Sequence, residues 1–122
     1  MTEPRTIYVG NASTDGAVRR GWIVGHFMSP DDLRNSQDIE IKWGIHTAGE
    51  QRSAPQQHEH RTTVLLLISG RFRINLESES WVLAEPGAYA MWGPGIGHSW
   101  QAETDSVVVT VRWPSQESPS IT

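Results

Sequence analysis

Imidazole nitrogen is the side-chain donor best suited to zinc, iron, nickel and copper when thiolate is absent. This chain has five histidines and no cysteine. Two of the histidines, in His58-Glu59-His60, are separated by one residue. Alternate residues of an extended strand point to one face. The two imidazoles can therefore reach one ion, with Glu59 directed away. A solvated polar loop after Gln56-Gln57 accounts for the same residues equally well. A third imidazole, His98, closes the glycine-rich stretch that runs from Gly87 through Gly93-Pro94-Gly95. His26 and His46 are further pocket candidates. His46 shares a strand face with Glu40 and Lys42, so a solvated position suits it at least as well.

Six tryptophans stand against two Phe and two Tyr. Most fit barrel walls. Trp92 and Trp100 flank His98 and are expected to supply an apolar wall beside it. Arg61, Arg71, Arg73 and Arg112 are forks able to hold a carboxylate or phosphate bidentately. Their alternating positions also suit an outer strand face. Arg112, between Val111 and Trp113, is the arginine expected at the site. The ligand-binding set is thus His46, Trp92, Trp100 and Arg112, facing a small organic molecule of aromatic or anionic character.

The elements that must carry these residues read as strand and turn almost throughout. Ile39, Ile41, Trp43 and Ile45 alternate with Glu40, Lys42, Gly44 and His46, the mark of a half-buried strand. Thr62 to Ile68, the turn Ser69-Gly70, and Phe72 to Leu76 read as a hairpin. Trp81 to Ala84 ends at Glu85-Pro86-Gly87, whose Pro and Gly suit a type II turn. Ala88 to Trp92 and Val107 to Arg112 are further strands, as is Trp22 to Phe27. Ser29 to Asp38 is the stretch expected to hold a helical turn. Many short strands with Gly and Pro turns imply an all-β sandwich or barrel with little helix.

Length and composition bound the rest. A chain of 122 residues suits a single domain spanning 1–122, with frayed tails at 1–5 and 114–122. A net charge of −4 and the absence of a basic stripe argue against nucleic acid. The longest aliphatic run, Val64 to Ile68, is too short to cross a bilayer. The N-terminus carries Glu3 and Pro4 and reads as no signal peptide. No membrane partner and a cytoplasmic location are the expectations.

The two histidine segments together resemble the cupin superfamily, whose fold is a double-stranded β-helix or jelly-roll barrel. The family's first motif has a histidine pair, a Glu, and a Gly at the next turn; His58, His60 and Gly70 are similar to it. The second has a Gly, a turn ending in Gly, and a His three residues on; Gly87, Gly95 and His98 match it. The resemblance covers about residues 38–113. Thr63 stands where spacing from Gly70 puts the family's Glu, and the same count places the pair at Gln56 and His58. Gly93 replaces the family's Pro. Gly21 to Phe27, Lys42 to Glu50 and Val111 to Pro114 also resemble a subgroup of small bacterial cupins.

The resemblance implies one divalent transition metal (Zn, Fe, Ni or Mn) held by His58, His60 and His98, with His46 or Glu50 as fourth partners. Such a metal would act as a Lewis acid or activate water or dioxygen in an isomerase, cyclase, lyase or dioxygenase. The alternative is a non-catalytic module that binds or senses a small molecule without metal. Small cupins pair through N-terminal strands, so a homodimer is expected, with Thr6 to Val9 as the pairing strand and Trp22 to Phe27 near the interface.

Overall fold

The computed structural model describes residues 6–56 and 60–116, with 54–56 as backbone alone. Nine strands follow in chain order: β1 (Trp22–Val24), β2 (Glu40–His46), β3 (Gln51–Gln56), β4 (Thr62–Ser69), β5 (Phe72–Leu76), β6 (Glu79–Leu83), β7 (Tyr89–Trp92), β8 (His98–Ala102) and β9 (Ser106–Trp113). They form a five-stranded sheet, β1-β2-β9-β4-β7, and a four-stranded sheet, β3-β8-β5-β6. All named pairings are antiparallel. The expected small all-β jelly-roll barrel is the observed architecture.

β4 and β5 do not pair as the expected hairpin. Each belongs to a different sheet, and Gly70 is the corner between them. Its φ of +98° favours glycine, and a Cβ there would lie 2.3 Å from the Asp105 carbonyl oxygen. The tight turn was legible; its role as a sheet-to-sheet crossing was not. The Pro86-Gly87 turn is present as expected. Gly87 has φ +94°, and the Ala88 N–H donates to the Glu85 carbonyl at 2.9 Å.

Other expectations shift. Trp22 to Phe27 is strand only over β1. Thr6 to Val9 forms no strand, and Ser29 to Asp38 forms turns. The Asp32 carboxylate pins that loop: it takes Arg34 Nη2 at 2.8 Å, Arg34 Nε at 3.1 Å and the Arg34 backbone N–H at 2.8 Å. Helix lies earlier, in α1 (Ala12–Asp15) and a 3-10 turn over Gly16–Arg19. Asn11 caps α1 by accepting from the Ser13 and Thr14 N–H groups. Ser115, in the tail expected to fray, is fully buried. Its hydroxyl accepts the His26 N–H at 2.9 Å.

The barrel interior is layered, because β2, β9 and β4 are in register. Their inward residues form successive rows: Glu40, Arg112 and Thr63; then Lys42, Thr110 and Leu65; then Gly44, Val108 and Leu67. The last row joins Phe72, Ile74 and Leu83 in a closed apolar core. Each such side chain contributes about 1.5–3 kcal/mol by leaving water. The first two rows bring the polar side chains Glu40, Arg112, Thr63, Lys42 and Thr110 together with Leu65 at the other end of the barrel.

Candidate functional site

The inward face of β2 is Glu40, Lys42, Gly44 and His46. From the sequence, a solvated position suits this face at least as well as a pocket. The structure turns it inside: Glu40 is 2% exposed and His46 is buried, whereas Ile45 is 60% exposed. Period-two alternation finds two faces without saying which is inside. The apolar row Ile41, Trp43, Ile45 lies on the outside of the barrel, and the polar row fills it.

Glu40 Oε1 lies 2.9 Å from Arg61 Nε and 3.2 Å from Arg112 Nε. Arg61 is itself only 3% exposed, and its Nη2 donates to the Gln116 carbonyl. Two guanidiniums share one carboxylate. Arg112 faces inward from β9 with its guanidinium carbon 4.4 Å from the Trp22 ring centroid. Lys42 Nζ lies over the same ring at 5.6 Å.

A cavity of about 280 Å³ opens beside this group. Four cations, Arg20, Lys42, Arg52 and Arg112, take part in its lining, and no carboxylate does among the described residues. Burial, then Arg52 and Arg112, hold the Lys42 amine below its ordinary pKa. A second hollow of about 470 Å³ adjoins it and shares Arg20, Lys42, Arg52 and Trp100. The helical turn before β1 roofs that hollow through Ser13, Gly16 and Ala17. Arg20 enters from the end of the turn in the left-handed conformation, φ 53° and ψ 33°, which is uncommon for a side chain of this kind.

His98, Trp92 and Trp100 line the 280 Å³ cavity together with Leu65 and Ile74. The Trp92 and His98 rings are 5.0 Å apart. Trp100 stacks on Phe72 at 5.3 Å and meets His46 at 4.6 Å. His46 belongs to the larger hollow. Its Nδ1 is 2.9 Å from Glu50 Oε1, and that hydrogen bond is the main cause of a lowered Glu50 pKa. All four ligand-binding candidates, His46, Trp92, Trp100 and Arg112, thus lie in the two joined hollows.

The metal candidates are not brought together in this way. His98 lines the cavity. His60 Nε2 lies 3.1 Å from Gln116 Oε1 and is absent from the lining of either hollow. His58 lies outside the described residues. Thr63, at the position of the family's Glu, is buried and lines the cavity with a hydroxyl. Among the described residues no group of three His, Asp or Glu side chains is placed to hold one ion. His26 points elsewhere, with Nδ1 2.8 Å from Ser115 Oγ.

Sequence reasoning missed Glu40, Lys42, Arg20 and Arg52. One signal was available: Lys42 is the only lysine, on the β2 face that also carries His46. Arg71 and Arg73 do lie outside, where both hold the Glu103 carboxylate.

No protein-family model and no curated protein matches the chain. Solved structures do. KdgF from Halomonas sp. superposes with TM-score 0.61 at 25% identity, over 67% of this chain and 75% of that one. An RmlC-like cupin from Shewanella frigidimarina gives TM-score 0.57 at 18% identity, over 66% and 70%. A mutant of salicylate 1,2-dioxygenase from Pseudoaminobacter salicylatoxidans gives 0.56 at 21%, over 62% of this chain and 22% of that one. The two-sheet jelly roll with a hollow at its polar end is the cupin barrel. By fold this chain is a small cupin. No helix among the described residues is long and apolar enough to cross a membrane.

Proposed function

We propose that this small cupin binds a small organic anion in its barrel. The observation that carries the reading is the convergence of Arg20, Lys42, Arg52 and Arg112 on one cavity whose described lining has no carboxylate. The chain as a whole carries a net charge of −4, so this concentration of positive charge is local. Guanidinium forks suit carboxylate and phosphate, and Trp92, Trp100, Leu65 and Ile74 suit an attached apolar body. The volume is near the lower end of ligand pockets, about 300–1,000 Å³, so the ligand is small. Tryptophan fluorescence titration with short carboxylic acids and their amides tests this. Acids are expected to bind at least ten-fold more tightly than amides, and Arg52→Gln to reduce that preference. Equal affinity for acid and amide would overturn the reading.

A metal-assisted reaction is a second reading, favoured by one observation. His98 lines the cavity, and its backbone pairs with Gln56, two residues before His58. An isomerase, cyclase, lyase or dioxygenase activity would follow from such a centre. The salicylate dioxygenase neighbour acts, by its name, on an aromatic acid, which agrees with an anionic ligand here. Elemental analysis of untagged protein tests the metal: near-stoichiometric zinc, iron, nickel or manganese, lost in His98→Ala, supports it. A chain that takes up none of these overturns it.

A further inference from the structure

We propose that Lys42 is a nucleophilic amine that forms an imine with the carbonyl of a small 2-oxo acid held in the cavity. The inference rests on the anion-binding reading and names the ligand class. Three guanidiniums, Arg20, Arg52 and Arg112, already line the cavity, and they suffice to grip a carboxylate. A primary amine among them adds a different property, nucleophilicity. The only lysine of the chain stands there. It projects from the inward face of β2 and takes part in the lining of both hollows. Trp22, its register partner on β1, lies against it, with Nζ 5.6 Å from the ring centroid.

The surroundings shift Lys42 toward the neutral amine relative to a free lysine. Burial and the charges of Arg52, Arg112 and Arg20 lower its pKa, against a smaller opposing effect of Glu50. An amine desolvated beside other cations is an established route to an activated lysine. A carboxylate gripped by the guanidiniums would hold an adjacent carbonyl within the same small cavity. The Nζ lone pair adds to the carbonyl carbon. The carbonyl oxygen takes one proton from the amine and a second from solvent, and leaves as water. The product is an iminium with one positive charge, balanced by the bound carboxylate. No oxidant or reductant is consumed.

Pyruvate with sodium borohydride tests this, since hydride reduction makes the adduct permanent. Peptide mapping by mass spectrometry is expected to place the reduced adduct on Lys42 and to separate it from any on the α-amine. Lactate, which keeps the carboxylate and lacks the carbonyl, should give none. Lys42→Arg, which keeps the positive charge and lacks the primary amine, should lose the Lys42-region adduct altogether. Pyruvate and lactate binding with no adduct on Lys42 would overturn the imine and leave the anion reading intact. Absence of binding by both acids and of any adduct would overturn the two together.

Discussion

Lys42 and Arg112 lie against one indole: Lys42 Nζ is 5.6 Å and the Arg112 guanidinium carbon 4.4 Å from the Trp22 ring centroid. The ring's negative face attracts both cations, yet it does not cancel their mutual repulsion. Arg52, Arg112 and Arg20 lower the Lys42 pKa, Glu50 opposes them, and burial outweighs each. A bound anion must reverse part of that shift. Carboxylate binding is therefore coupled to proton uptake by Lys42, and affinity should fall as alkaline pH removes that proton. Titrations of lactate across pH 7 to 10.5 are expected to show this fall in the wild type and not in Lys42→Met. An identical alkaline limb in both proteins would sink the assignment.

Glu40 is the counter-charge for two buried or half-buried arginines. Removing one partner of a buried ion group leaves an uncompensated charge and costs about 3–5 kcal/mol. Part of Arg112 reaches solvent, so the expectation for Glu40→Gln is about 3 kcal/mol, at the lower end. Urea unfolding of the variant measures it. A loss below about 1 kcal/mol would show that the two arginines are solvated well enough without Glu40.

Arg20 sits at φ 53°, where a side chain costs about 1–2 kcal/mol over glycine. Glycine loses more entropy on folding, which offsets about 0.5–1 kcal/mol of the gain. Arg20→Gly is expected to leave folding stability within about 1 kcal/mol of wild type. Carboxylate affinity should drop about ten-fold, the size of one charge-assisted hydrogen bond. Unchanged affinity would remove Arg20 from the site.

Asp32 accepts two side-chain hydrogen bonds and one backbone bond from Arg34, which lower its pKa to about 2. Its folded pKa lies below its unfolded value of 3.8. The carboxylate therefore stabilises the fold above about pH 4, and that contribution is lost as pH falls from about 4 to 2. Asp32→Asn should lower the melting temperature at pH 6 and narrow the gap to wild type near pH 2. A pH-independent gap would assign the effect to something other than this ionisation.

The outer face of the five-stranded sheet carries Ile45, Tyr89 and Met91 at 60%, 64% and 54% exposure. Exposed apolar patches of this sort mark association surfaces. The homodimer expected from the sequence is proposed to use this face. Sedimentation at tens of micromolar should give about twice the chain mass of 13.6 kDa. Met91→Glu should shift the population to monomer. A wild type that sediments as a monomer would rule the dimer out.

Strand positions were legible because side-chain alternation and Gly/Pro punctuation are local. Thr62 to Ile68, Ala88 to Trp92 and the Pro86-Gly87 turn needed no knowledge of distant residues. The short helical pieces over 12–19 escaped, because four-residue elements carry too few positions for a period to show. Arg52 escaped because β3 offers no apolar alternation to mark its inward face.

The order of residues determined by itself that the chain would be a β barrel, that no thiolate chemistry is available to it, and that His98 follows a glycine-rich turn. Tertiary structure alone decided which face of β2 is inside. Alternation specifies two faces symmetrically, and only pairing with β9, 60 or more residues away, turned Glu40, Lys42 and His46 toward the barrel interior. The same long-range register set Arg112 beside Glu40. Charge that suits a solvated surface along the chain became, once the strands closed, the lining of a cavity.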